Sequence, residues 1–227
     1  MGRFIAKEGF TLVIIPLALS FICLLPSLVI DGAEIKHILA GFSAAFFAFF
    51  IFNVYFFRDP ERNAVIQAGD IVAPADGRII FIGKVLDNRF LNRKAMKISI
   101  FMSLFNVHVN RVPVSGKVIG IIYNKGRFFS ANLDKASLEN EYNAIIIETN
   151  GEGLWSGQRI AFVQIAGFIA RRIVCNIKKG EDVTAGKRFG LIKYGSRLDI
   201  YLPLNSKIYV KEHEKVFAGK TAIGKLS

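Results

Sequence analysis

Two long uncharged stretches at the start of the chain restrict its fold more than any other feature. Phe10 to Ile30 and Ile38 to Phe57 contain no charged side chain, and each is close to the roughly 20 residues that a helix needs to cross a bilayer core. A signal peptide is the alternative for the first stretch, but no small-residue cleavage site follows it. A buried core helix is the alternative for the second, but its run Phe46 to Phe52 is apolar on every face. The sequence therefore predicts an α-helical membrane hairpin, in which Pro16 and Pro26 kink or shorten the first helix and leave a re-entrant path open.

Basic residues flank this hairpin unevenly. Arg3 and Lys7 precede it, Arg58 and Arg62 follow it, and the connecting loop at 31–37 holds one lysine against two acidic residues. The positive-inside rule therefore predicts that both ends of the hairpin lie on the cytoplasmic side of the cell membrane.

The net charge is confined to the remainder of the chain. Residues 1–57 carry three basic and three acidic side chains, so the formal charge of +12 belongs to residues 58–227. Such a domain is attracted to an anionic leaflet. Nucleic acid is the usual alternative partner, but the basic residues are scattered singly and form no recognisable binding motif. We expect a membrane partner and no nucleic acid, and the sequence leaves open whether the chain forms a homo-oligomer.

Residues 58–227 are predicted to form one β-rich (α+β) domain, because short apolar runs are separated by Gly, Asn and Asp. A short helix is expected around Leu133 to Glu139. The predicted strands are Arg78–Val85, Ala95–Met102, Gly116–Tyr123, Ala144–Glu148, Arg159–Ile165, Arg172–Ile177 and Leu198–Leu202.

An internal repeat gives this domain a barrel-like duplicated architecture. The segments at 74–82 and 113–121 both read Pro, two residues, Gly, a basic residue and then an apolar strand. A turn that enters a strand commonly uses Pro and Gly, so ordinary turn chemistry is the alternative. We favour two copies of one β-unit that close on each other.

Metal chemistry and disulfide formation have no support in the sequence. Cys23 and Cys175 form no metal or redox spacing. His37, His108 and His213 are too far apart in the sequence to indicate a zinc site.

The pair Gly195–Ser196 permits a specific reaction, although a Gly-Ser dipeptide between strands by itself indicates a turn. Glycine can hold a φ that other residues avoid, and such strain can present the Gly195 carbonyl to the Ser196 hydroxyl. Attack would convert the amide into an ester, and β-elimination would divide the chain into 1–195 and 196–227. Hydrolysis would leave a pyruvoyl group at 196, a ketone that forms a Schiff base with an amine and accepts electrons when an α-carboxylate leaves.

Seven short segments from about Tyr55 to the C-terminus form a pattern that is specific in order and spacing. They are Phe56–Arg62, Ala73–Gly77, Phe105–Pro113, Asp134–Ser137, Glu139–Glu141, Gln164–Gly167 and Tyr194–Arg197. With this pattern after a membrane hairpin, the chain resembles the short, archaeal-type branch of the phosphatidylserine decarboxylase family. The resemblance implies a self-cleaving, pyruvoyl-dependent enzyme that converts phosphatidylserine to phosphatidylethanolamine and CO2, with no metal.

The resemblance also implies roles for individual residues. Gly195–Ser196 would be the scissile bond, with Ser196 the pyruvoyl precursor. Asp76 matches the aspartate of the family's Ala-Asp-Gly motif, which is implicated in self-cleavage, although Asp-Gly is also a common turn pair. His108 matches the first histidine of the family's histidine-containing strand, and an ordinary imidazole pKa of about 6.5 suits proton transfer. A buried core histidine is the alternative for His108.

The chain departs from the longer family members at two places. They carry a second histidine where this chain has Arg111, and a Leu-Gly-Ser-Thr cleavage motif where it has Tyr194-Gly195-Ser196-Arg197. Which group activates Ser196 therefore stays open. A solvated surface charge is the alternative for Arg111, but guanidinium suits bidentate phosphate binding, so Arg111 is a candidate for the substrate phosphate.

Two other functions compete with this interpretation. A pyruvoyl decarboxylase of a soluble amino acid would use the same Gly-Ser cleavage, but would have no need of a membrane hairpin. A membrane-anchored β-barrel binding or carrier module would account for the internal repeat and would remain an intact chain.

Overall fold

The computed structural model describes residues 4–62, 66–126, 140–150, 155–167 and 172–227. The chain divides into two compact units, Met1–Glu61 and Arg62–Ser227. The first contains a 3-10 helix Lys7–Gly9 and the helices α1 Phe10–Val29 and α2 Ala33–Phe56. The strands of the second are β1 Asp70–Val72, β2 Gly77–Asp87, β3 Arg93–Met102, β4 Val109–Arg111, β5 Gly116–Asn124, β6 Tyr142–Thr149, β7 Arg159–Ala166, β8 Ile173–Cys175, β9 Asp182–Val183, β10 Arg188–Ile192, β11 Ser196–Leu202, β12 Lys207–Ile208, β13 Lys215–Val216 and β14 Ala222–Lys225. The helix expected around 133–139 lies outside the described residues.

Helices α1 and α2 form the predicted hairpin and expose apolar side chains instead of burying them. For example, 48% of the surface of Phe47 and 64% of the surface of Ile22 are exposed. The helices meet at small polar residues, where the Ser20 hydroxyl donates to the Ser43 carbonyl oxygen at 3.0 Å. Small residues of this kind let helices in lipid approach closely. Both helices are long and apolar enough to cross a bilayer, which favours membrane association.

The two prolines do not shorten α1, so that part of the sequence-based expectation is wrong. The helix runs for 20 residues through both Pro16 and Pro26. Pro16 is buried, and the Ile30 N–H still donates to the Pro26 carbonyl oxygen at 3.0 Å at the end of the helix. Apolar helices tolerate internal proline where neighbouring groups compensate for the lost backbone bond.

The second unit is a β structure built on one eight-stranded antiparallel sheet. Its strand order is β13-β2-β3-β11-β7-β6-β5-β9, and the sheet is curled into a half-barrel. Two three-stranded sheets, β1-β14-β12 and β4-β10-β8, complete the unit. All seven predicted strands are present, and the β-rich prediction is confirmed. Strand β11 pairs along its length with both β3 and β7, so it lies at the centre of the sheet.

The predicted duplication is visible in the matching positions of β2 and β5. Gly77 and Gly116 begin these strands, and a Cβ at either would collide with a carbonyl oxygen of the adjacent strand. Each strand has a register irregularity two residues later. The segments before them pair reciprocally, with Val72 N–H donating to the Pro113 oxygen at 2.9 Å and Arg111 N–H to the Pro74 oxygen at 2.8 Å. The sequence repeat therefore corresponds to a repeat in the structure.

A second repeat, which the sequence reasoning missed, completes each copy. The segments at 178–187 and 211–220 share Lys-x-x-Glu-x-Val-x-Ala-Gly-Lys. Gly186 and Gly219 both have positive φ, and their N–H groups donate to the carbonyl oxygens of Val112 and Ala73 at 2.8 and 2.7 Å. Each copy thus consists of a Pro-x-x-Gly strand and a later turn that binds back to it.

Candidate active site

Ser196 is the first residue of the central strand β11 and is 1% exposed. It lies opposite Met102 of β3 and Ala166 of β7. The two residues before it, Tyr194 and Gly195, have φ of +60° and +82°. A left-handed conformation is uncommon for a tyrosine, so the backbone is strained immediately before the serine.

Hydrogen bonds hold both backbone polar groups of Gly195. Its carbonyl oxygen accepts from the Gly167 N–H at 3.1 Å, and its own N–H donates to Nε2 of His108 at 3.4 Å. His108 Nδ1 lies 2.9 Å from the carbonyl oxygen of Asn106. Because a carbonyl can only accept, we assign the proton to Nδ1, which leaves Nε2 with a lone pair. The Gly167 N–H points at the oxygen on which negative charge would develop during attack by Ser196.

The Ser196 hydroxyl is held by a weak acceptor. It donates to Sδ of Met102 at 3.2 Å, and Nδ2 of Asn110 approaches the same sulfur at 3.7 Å. Gln164 donates to Asn110 at 2.9 Å and accepts from Asn143 at 3.0 Å, so a buried amide chain fixes the far side of the sulfur. A thioether is a weak acceptor, so breaking this hydrogen bond costs little free energy when the hydroxyl turns toward the Gly195 carbonyl.

Asp76 lies at a turn and is bonded within the duplicated framework. It forms a bidentate ion pair with Arg62, whose Nη2 is 2.7 Å from Oδ2, and it accepts from the Ala218 N–H at 2.8 Å. Its counterpart in the other copy is Ser115, whose hydroxyl accepts from the Ala185 N–H at 3.0 Å. Within the described part of the chain, none of these bonds connects Asp76 to Ser196 or His108. The structure therefore brings His108 to the residue before Ser196, through the Gly195 N–H, and connects Asp76 only to the duplicated framework.

Arg111 is buried, with 4% of its surface exposed. Its guanidinium donates to the Gly186 carbonyl oxygen at 2.9 Å, and its Cδ lies only 2.6 Å from the position that a Cβ of Gly219 would take. The Arg111 side chain therefore contacts both repeated turns, at Gly186 in one and at Gly219 in the other. The phosphate contact of Arg111 stays a prediction.

The sequence matches a known protein family. A family model described as phosphatidylserine decarboxylase matches residues 49–224. The chain belongs to the phosphatidylserine decarboxylase family. Among its relatives, the phosphatidylserine decarboxylase proenzyme of Pelobacter propionicus is 46% identical over 222 residues, which cover 98% of this chain and 96% of the relative. The proenzyme of Aromatoleum aromaticum is 45% identical over 98% of this chain and 95% of its own, and that of Citrifermentans bemidjiense is 50% identical over 79% of each. The family predicted from the seven segments is confirmed.

A buried ion cluster beside Gly195–Ser196 was not predicted from the sequence. Arg197 binds both oxygens of Asp199 at 2.6 and 2.8 Å, and Lys97 lies 3.1 Å from the same carboxylate. Burial raises the pKa of Asp199, but the hydrogen bonds and charge of Arg197 and the charge of Lys97 outweigh it, so the pKa lies below its ordinary value. The signal was available, since Arg and Asp alternate with apolar residues along 196–202. The cluster fixes β11 directly after its first residue, Ser196.

Replacing Gly195 by alanine is expected to slow self-cleavage about 5- to 30-fold. A Cβ there would meet only Leu104 Cδ2 at 3.9 Å, so the penalty comes from the positive φ, at about 1–2 kcal/mol. The rate of fragment appearance on a denaturing gel measures the effect. Gly180→Ala is the matched control, because Gly180 has φ +90° and open space around it. Equal slowing of both variants would show that the strain at Gly195 has no special role.

Replacing Asp76 by serine is expected to slow self-cleavage about tenfold or more while the fold is kept. The serine hydroxyl can accept from the Ala218 N–H, as Ser115 does from Ala185, but the partner charge of Arg62 is lost. The double variant R62M/D76S removes that unpaired cation. If the double variant cleaves at the normal rate, Asp76 serves only to neutralise Arg62, and its assignment to the reaction is wrong.

Proposed function

We propose that the chain is a proenzyme that cleaves itself between Gly195 and Ser196 and then decarboxylates phosphatidylserine to phosphatidylethanolamine and CO2. One observation carries the proposal. A buried serine follows two left-handed residues, and in the residue before it, Gly195, the carbonyl oxygen accepts from the Gly167 N–H while the N–H donates to Nε2 of His108.

Self-cleavage begins with attack of the Ser196 hydroxyl on the carbonyl carbon of Gly195. The Gly167 N–H stabilises the oxyanion, and Nε2 of His108 takes the hydroxyl proton. Breakage of the C–N bond converts the amide into an ester and frees the amino group of residue 196. Loss of the α-proton then expels the Gly195 carboxylate as the leaving group. Water replaces nitrogen on the resulting dehydroalanine, ammonia leaves, and a ketone stays at 196.

The surroundings of residue 196 fit a pyruvoyl group. The position is 1% exposed, so water is largely excluded. Strand β11 pairs with both β3 and β7, and the Arg197–Asp199 ion pair holds its start, so the residue stays in place after its bond to Gly195 is broken. The pyruvoyl ketone supplies an electron sink for the electrons released as the substrate carboxylate leaves. We assign to His108 the return of a proton to the substrate carbon.

The substrate and the membrane location follow from charge and hydropathy. The excess of basic residues lies in 58–227, which suits an anionic phospholipid. The hairpin would hold this unit at the membrane, and the distribution of basic flanks favours the cytoplasmic side of the cell membrane. Arg111 is the residue we assign to the phosphate, which would require its guanidinium to leave the Gly186 carbonyl.

Release of CO2 by the full chain in detergent tests the proposal. Mixed micelles of phosphatidylserine should give CO2, whereas free serine and free aspartate should give none. The Ser196→Ala variant provides the blank. Release from a free amino acid at the rate seen with the lipid would favour a soluble-substrate decarboxylase. An intact chain that releases no CO2 would favour the binding module.

A further inference from the structure

The segment that joins β3 to β4 contains a tight turn with two apolar residues at its tip. The Asn106 N–H donates to the Ser103 carbonyl oxygen at 3.0 Å. Oδ1 of Asn106 accepts from the Ser103 N–H at 2.9 Å and from the Ser103 hydroxyl at 2.8 Å. Three hydrogen bonds between two residues therefore fix the direction in which Leu104 and Phe105 point.

This turn lies next to the proposed scissile bond. It begins directly after Met102, whose sulfur accepts from the Ser196 hydroxyl, and ends two residues before His108, which accepts from the Gly195 N–H. Leu104 packs beside Gly195, with its Cδ2 3.9 Å from the position of a Cβ there. The turn thus forms one edge of the reacting site.

Phe105, at the tip, is 67% exposed. Its place at the rim of the reacting site, on a turn fixed by hydrogen bonds, is what makes this exposed aromatic side chain a candidate for contact with lipid. Two basic residues are also near the scissile bond along the backbone: Lys193 precedes Gly195 by two residues, and its N–H donates to the carbonyl oxygen of Arg172 at 3.1 Å. An exposed aromatic residue beside basic residues suits the boundary between acyl chains and anionic head groups.

We propose that the turn Ser103–Asn106 inserts Phe105 into the bilayer at this boundary, so that residue 196 meets lipid head groups. The inference rests on the proposed function, because a phospholipid substrate keeps its acyl chains in the bilayer while its head group reacts. A second copy of the chain fits less well. The turn offers two apolar side chains, whereas stable protein interfaces bury about 1,200–2,000 Å².

The same turn orients His108. Its Asn106 carbonyl oxygen, which lies on the turn, accepts from Nδ1 of His108 at 2.9 Å. The same turn would therefore both contact the bilayer and orient the group that transfers the proton. We expect the enzyme to decarboxylate a substrate in a bilayer faster than a dispersed substrate with the same head group.

Fluorescence quenching of the full chain in vesicles tests the contact. Trp155 is the single tryptophan, so F105W is made in a W155F background and reconstituted into phosphatidylcholine–phosphatidylglycerol vesicles with acyl-brominated phosphatidylcholine. L86W in the same background is the matched control. Leu86 is 64% exposed, and its partner Lys94 lies at the opposite end of β3 from Met102. We expect bromolipid to quench F105W about threefold more than L86W.

Activity gives a second, independent readout. For F105S, the ratio of the decarboxylation rate on vesicle phosphatidylserine to the rate on a short-chain, monomeric phosphatidylserine is expected to fall about tenfold. Equal quenching of F105W and L86W, or an unchanged rate ratio in F105S, would overturn the inference. An emission shift of F105W that follows protein concentration without quenching would identify a second copy as the partner and overturn it as well. Quenching of F105W in a chain that never releases CO2 would support the contact while the proposed function fails.

Discussion

Replacing Ser196 by alanine is expected to leave one uncut chain with no decarboxylase activity. The substitution removes the attacking oxygen, so neither the ester nor the ketone can form. Denaturing electrophoresis and CO2 release from phosphatidylserine measure the two losses. The expected effect is complete, because no other residue can become the first residue of the 196–227 fragment.

Ser206→Ala is the matched control for this variant. Ser206 is also a buried serine, and its hydroxyl has no hydrogen-bond partner among the described residues. We expect Ser206→Ala to cleave fully and to retain activity. A Ser196→Ala chain that is cut at 195/196 and releases CO2 would overturn the mechanism.

Replacing His108 by glutamine is expected to slow self-cleavage by about 10²- to 10⁴-fold. Glutamine can still accept from the Gly195 N–H through its side-chain oxygen, but it cannot take the Ser196 proton. The loss therefore reports on proton transfer more than on packing. The time course of fragment formation after synthesis measures it, with the decarboxylation rate of the cleaved fraction as a second readout.

His213→Gly is the corresponding control. His213 has φ +67° and occupies the position that Gly180 holds in the other copy, where φ is +90°. The substitution is expected to preserve cleavage, because it copies the repeated turn. Normal cleavage by His108→Gln would remove His108 from the reaction and leave it as a buried structural residue.

The positions of the strands were predictable, whereas the contacts between them were not. Each predicted strand is an apolar run between turn residues, so a local pattern was sufficient. The approach of Ser196 to Met102 joins residues 94 positions apart, and it depends on β11 lying between β3 and β7. No local pattern specifies that strand order, so the sequence could suggest candidate site residues without showing what surrounds them.

The role of Asp76 shows a different limit. An Asp-Gly pair predicts a turn and the family resemblance predicts a part in cleavage, but neither indicates the ion pair with Arg62. The Lys-x-x-Glu-x-Val-x-Ala-Gly-Lys repeat would have indicated that Ala218 and Ala185 occupy equivalent turns. Asp76 and Ser115 both accept a hydrogen bond from the N–H of the equivalent alanine. Of these two residues, Asp76 alone carries a charge, so its ion pair with Arg62 is what distinguishes the two copies.

Intact-mass measurement of the purified, denatured protein distinguishes a self-cleaved pyruvoyl enzyme from an uncut chain. We expect two chains, residues 1–195 and residues 196–227, with the smaller chain lighter by one ammonia than the same peptide beginning with serine. That difference identifies a ketone at position 196 independently of any substrate. A single chain of 25.3 kDa in a preparation that decarboxylates phosphatidylserine would contradict self-cleavage at Gly195–Ser196 as the source of the activity.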